Sequence, residues 1–154
     1  MCGATYVVAL ACGGTADGSV PLPPPPDRDE GLRLELLQRA KRDQQMAIAT
    51  IGSLGDSTAT ANLAQIFTEN AQYLRTVLDT HGWPGRALVG TDGADAAWTI
   101  VQHADGFPEM QERALKELEK AVAAQQAEGQ WYAWLADRLA KNRRLPQIYG
   151  TQVD

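Results

Sequence analysis

The sequence predicts an all-α fold, a compact bundle of about five helices with a docked irregular C-terminal tail. Apolar residues return every three or four positions along five separate stretches, whereas Val and Ile runs that alternate with polar residues, the mark of half-buried strands, are nearly absent. Ala, Leu and Gln dominate, and opposite charges sit four residues apart, as in Glu112 with Lys116 and Arg113 with Glu117. The 154 residues fall in the range of one domain and can bury a core. We place an N-terminal segment at 1–28 and the helical domain at 29–154.

The first segment reads as an address rather than as fold. Residues 4–14, ATYVVALACGG, hold an apolar run that is too short to span a bilayer but fits the hydrophobic region of a secretory signal. VALAC resembles a lipoprotein signal, which would make Cys12 the lipidated residue and attach the protein to a membrane at the cell envelope. Two departures stand against it: Ala9 occupies the place usually held by Leu, and no Lys or Arg precedes the run. The alternative is a plain apolar N-terminus on a cytoplasmic protein. PLPPPP at 21–26 favours stiff polyproline II, a spacer at about 3 Å per residue.

The first helix is expected from Asp29 to about Ile51, with Leu32, Leu36, Leu37, Ala40, Ala47, Ile48 and Ile51 facing the core. Asp43 and Gln44 fall inside that arc, so both are expected to point inward, where a carboxylate needs a partner. GSLGDST at 52–58 is a turn with Asp56 and Ser57 as N-cap candidates. The second helix runs to about Thr80 on Leu63, Ile66, Phe67, Leu74, Val77 and Leu78, with Asn70 in mid-arc and also expected inward. The glycine-rich stretch 81–93 reads as a shaped loop, since its spacing fits no phosphate-binding motif and Pro84 stops a helix.

On the third helix Ala97, Ile100, Val101 and Ala104 take one side, while Asp95, Thr99 and Gln102 take the other with His103 at the edge, as on an ordinary surface helix. Pro108 suits a first turn, Met110, Ala114, Leu115, Leu118, Ala121 and Val122 form the fourth helix's stripe, and Gly129 is expected to end it. A fifth helix packs Trp131, Trp134, Leu135 and Leu139. Leu145, Ile148 and Tyr149 are too apolar for a frayed end, so the tail is expected to dock.

Several classes of chemistry are excluded or weak. A net charge of −5 argues against a nucleic-acid partner, which would need a surplus of Lys and Arg. The two cysteines, Cys2 and Cys12, precede the helices, so thiol chemistry in the core is excluded. His103 and Asp105 with distant His81 give too few ligands for a metal, no Ser or Cys stands in a nucleophile elbow, and no cofactor is expected.

The pieces DQ (43–44), NAQYL (70–74), HGWP (81–84), VG (89–90), AAW (96–98), QHAD (102–105), DR (137–138) and PQIYGTQ (146–152) occur in this order. Together they resemble a bacterial family known only as a domain of unknown function, over roughly residues 30–152. The resemblance implies a small helical domain and no particular activity. It carries over to Asp43, Gln44, Asn70, Trp83, Pro84, Gln102, His103, Asp105, Asp137, Arg138, Gln147, Tyr149, Thr151 and Gln152.

Three readings of the polar residues stand. The first is a pocket for a small polar ligand or peptide, built from Gln44, Asn70, Trp83, Gln102, Asp105, Arg138, Tyr149, Thr151 and Gln152. The second is a hydrolase or other acid–base enzyme in which His103 moves the proton and Asp43 or Asp105 sets its tautomer. The third is a purely structural network that pins the C-terminus to the bundle.

Overall fold

The computed structural model describes residues 28–53 and 55–153, all as helices and their connections. The apolar N-terminal run, Cys12 and the proline-rich spacer lie outside the described residues. Five helices follow one another: α1 (Glu30–Gly52), α2 (Ser57–His81), α3 (Arg86–Gln102), α4 (Pro108–Ala123) and α5 (Gly129–Asn142). None is long and apolar enough to cross a membrane. Helix α1 packs most extensively on α3 and next on α2, while α4 and α5 form a second pair.

The helix ends follow from capping chemistry. The Asp29 side chain accepts from the Leu32 amide, and Asp56 accepts from Thr58 and Ala59, which satisfies donors that the first turn leaves over. Helix α2 stops at Gly82, whose φ of 70° is open to glycine without strain. Gly85 at the start of α3 offers no side chain, and Gln126 caps from a distance: its backbone oxygen accepts from Arg86 and its side-chain oxygen from Ala87 at 2.7 Å.

Helix α3 corrects the expectation of a loop through 81–93, because helix begins at Arg86. What divides it is Gly90, at φ 73° and ψ 172°, a region essentially confined to glycine. A second correction concerns α4, which ends at Ala123 rather than at Gly129. Gln125 takes the left-handed conformation, φ 59°, and the Gln126 amide bonds back to Ala121 at 2.7 Å. Gly129 instead opens α5.

The core runs through Leu36, Leu74, Leu78, Val89, Ile100, Leu118 and Leu135. Trp98 stacks on Trp131 with centroids 5.7 Å apart and planes within 2° of parallel, and Trp83 leans on Trp131 at 6.5 Å. Trp134 lies at the rim, tilted against Trp98 with ring centroids 6.0 Å apart and 39 % exposed. Ile48 and Ile51, expected in the core, are 68 % and 69 % exposed. The tip of the α1–α2 hairpin causes this: most residues from 57 to 65 are exposed too, so the last turns of α1 have little to pack against.

Gly93 yields the first prediction. In a regular helix residues four apart keep their Cβ atoms about 5–6 Å apart, but after the Gly90 kink a Cβ at Gly93 would stand 2.7 Å from that of Val89. Ala ordinarily gains about 1 kcal/mol over Gly in a helix, whereas overpacking costs about 1–3 kcal/mol. Gly93→Ala should therefore lower the urea midpoint; a rise would show that the kink relaxes freely.

Candidate functional site

Three aspartates, two of them buried, organise the polar contacts, each in a different way. Asp43, on the fourth turn of α1, is fully buried. One of its oxygens lies 2.6 Å from His103 Nδ1, and the other accepts from the Asn70 amide at 3.1 Å. Three helices thus meet at one carboxylate. An ionised carboxylate can only accept, so an ionised Asp43 would hold the proton of a neutral His103 on Nδ1 and leave the ring's lone pair on Nε2. Nε2 has no partner among the described residues, and the side chain is 23 % exposed. Phe67 covers one face of the imidazole, with ring centroids 5.1 Å apart.

Local structure explains how His103 comes to face Asp43. It is the C-cap of α3, at φ −91° and ψ 2°, and the 100° progression of the helix puts it about 20° from the buried Ala96, on the inner side of Thr99. Gln44 does not join this site. The expectation that it points inward is corrected, for it is exposed while Asp43 is buried. The buried line of α1 runs through Leu32, Leu36, Ala40 and Asp43, which is narrower than the apolar arc of the sequence.

The second carboxylate, Asp105, follows α3. It accepts two bonds from Arg138, at 2.6 and 2.5 Å, one from Asn142 at 2.9 Å and a long one from Gln111 at 3.4 Å. Partial burial pushes its carboxyl up, but Arg138 and Asn142 outweigh that and hold it below the ordinary aspartate value. Asp105 is about the α3–α5 connection and does not touch His103 through any hydrogen bond among the described residues.

Asp137 is the third, and it is fully buried. Its oxygens accept from the backbone amides of Ile148, Tyr149 and Thr151 at 2.7, 3.0 and 2.8 Å and from the Thr151 hydroxyl at 3.0 Å. Burial alone would raise this carboxyl, yet the four donors prevail and lower it. Gln147 and Gln152 close the loop by reciprocal bonds between side chain and backbone. The apolar side chains do not anchor the segment: Ile148 is 78 % and Tyr149 52 % exposed, the latter edge-on to Tyr132.

Of the residues proposed from the sequence, the fold brings Asp43, Asn70 and His103 together. Gln102, Arg138, Thr151 and Gln152 gather elsewhere, with Trp98 and Trp134, around a notch of about 90 Å³. Trp83 is buried within the tryptophan cluster, and its indole nitrogen has no partner among the described residues. It also borders an open depression with His81, Glu117 and Lys120, which His103 does not line. Asp137 and the fully buried Gln111, which donates to the Val101 carbonyl at 3.0 Å, were not proposed as site residues. Gln111 lies beside Met110 and Ala114 on the stripe of α4, and that spacing was the available signal.

The lowered carboxyl of Asp137 fixes a sign. A folded value below the ordinary 3.8 means that these contacts stabilise the fold above about pH 4 and lose that contribution as pH falls through the lowered value. The amide resonances of Ile148, Tyr149 and Thr151 should shift together on acidification, before those of core residues such as Leu74, and Asp137→Asn should remove the transition. Flat amide shifts down to the pH of global unfolding would contradict it.

No curated protein and no solved structure matches the chain. The model of a family of unknown function, DUF6624, matches residues 30–154, and the chain belongs to that family.

Proposed function

We propose that the domain is an acid–base enzyme in which His103 Nε2 takes a proton from a small polar substrate, or from a water that attacks it. The carrying observation is the contrast within one pair: Asp43 is fully buried with both oxygens engaged, whereas His103 is partly exposed and its Nε2 has no partner among the described residues. Asp43 sets the tautomer and stabilises the imidazolium that forms when Nε2 gains its proton. Asn70 holds the second carboxylate oxygen, so it is a positioning residue.

A network with only a structural role would need no open nitrogen. The Asp137 cluster is of that kind, since its oxygens are engaged by the segment 148–151. The ligand-binding reading has its own support in the Trp98–Trp134 notch, where the Gln102 amide has no partner among the described residues. That notch is small, and we assign it the lesser role.

General acid–base assistance is worth roughly 10² to 10⁴ in rate. Across a panel of small esters, amides and phosphoesters, His103→Gln should therefore reduce any turnover found by about that range, and Asp43→Asn should reduce it as well. Nitrogen-15 NMR of the neutral ring should show the proton on Nδ1. A proton on Nε2, or turnover unchanged in His103→Gln, overturns the reading.

A further inference from the structure

We infer that the notch beside Trp134 is a second binding site, and that it takes one edge of a neutral sugar ring. The site stands apart from the acid–base centre, because His103 does not line it.

Two helices and the C-terminal tail build the notch. Trp98 and Gln102 are neighbours four residues apart on α3, Trp134 and Arg138 stand at the same spacing on α5, and the tail adds Thr151 and Gln152. The tryptophans give it a firm apolar wall. Trp98 is buried and stacked on Trp131, and Trp134 leans on Trp98 with ring centroids 6.0 Å apart while it stays partly exposed. A buried stack thus holds an indole that still meets solvent, and such a ring offers flat apolar contact at little cost in conformational entropy.

Chemistry of the lining sets the class. Its charged residue is Arg138, and Asp105 already accepts from the Nε and Nη2 atoms at 2.6 and 2.5 Å. An anion would find that charge matched, and a cation would meet a guanidinium, so a neutral ligand fits best. The polar groups left over are of both kinds. The Gln102 amide and Arg138 Nη1 have no partner among the described residues. Gln152 donates its amide nitrogen to the Trp134 carbonyl at 3.3 Å, which leaves its side-chain oxygen as a free acceptor. The Thr151 hydroxyl is committed to Asp137 and serves as wall. A hydroxyl answers donors and acceptors with one atom. Several hydroxyls along one edge, joined to a face of C–H groups that can rest on an indole, make a sugar ring. The volume of about 90 Å³ admits such an edge, whereas a pocket enclosing a whole drug-sized ligand takes roughly 300–1,000 Å³.

The test is an NMR titration of the full chain with methyl β-glucoside, methyl β-galactoside and N-acetylglucosamine, with sorbitol and adenine in parallel. At least one of the three sugars should move the Gln102 side-chain amide and the Trp134 indole signals saturably. Sorbitol carries its hydroxyls on an open chain without a C–H face and should not. Trp134→Leu keeps an apolar contact for Trp98 and should abolish saturation, and Gln102→Leu should weaken binding about tenfold, the scale of one or two hydrogen bonds. No saturable shift with any of the three sugars, equal binding of sorbitol, tighter binding of adenine, or unchanged affinity in Gln102→Leu overturns the inference.

Repeating the titration with His103→Gln separates this site from the acid–base centre. The recognition residues do not include His103, so the sugar should bind that variant as it binds the unsubstituted chain. Binding lost with His103 would make the two sites one and overturn the inference. Failure of all three sugars removes the notch site and leaves the reading of His103 untouched.

Discussion

A carboxylate with no solvent exposure, Asp43, is the constraint on which this half of the molecule depends. Removing such a group from water costs several kcal/mol unless partners replace the lost hydration. Asn70 and His103 are those partners, one from α2 and one from the end of α3, so the requirement of a single side chain on α1 fixes three helices against one another. The extensive packing of α1 on α3 and α2 keeps water out, which is why the two bonds must be made. Packing and polar contact here enforce one another.

The other two aspartates solve different problems. Asp105 ties the connection after α3 to α5 through Arg138 and Asn142 at a half-exposed position, where solvent screens the pair and its contribution is modest. Asp137 gathers backbone donors of a segment that has no helix or strand to satisfy them. The sequence from Leu145 to Gln152 is thus ordered chiefly by its main chain, and its apolar side chains remain outside.

How much of this is legible in the sequence depends on whether burial follows from one helix or from its surroundings. Asp43 and Asn70 are legible because each sits within the apolar stripe of a long, regular helix, and the all-α class follows from the same periodicity. Asp137 is not legible by that route. It lies about 200° around α5 from Leu135, on the face a wheel gives to water, and it is the segment 148–151 that covers it. Gln44 and Ile51 fail for the opposite reason, since their positions look apolar by period, but the buried line of α1 is narrower than that arc at Gln44 and the hairpin tip offers Ile51 no neighbour. The α4 end was hidden because a glutamine, rather than a glycine, takes the left-handed turn.

His103 shows why the end of a helix is a useful place for a reactive group. Its side chain stands about 20° from the buried Ala96 on the progression of α3, while the chain beyond it leaves the helix. Its ring is then held at one edge by Asp43 and on one face by Phe67. What remains open is the edge that carries Nε2. A proton-transfer group needs this combination of fixed orientation and one accessible nitrogen, because mobility would dilute the productive geometry and full burial would exclude the substrate. In the Asp137 cluster every favourable acceptor is already engaged by the chain itself, so it can order a segment but has nothing left with which to meet a substrate.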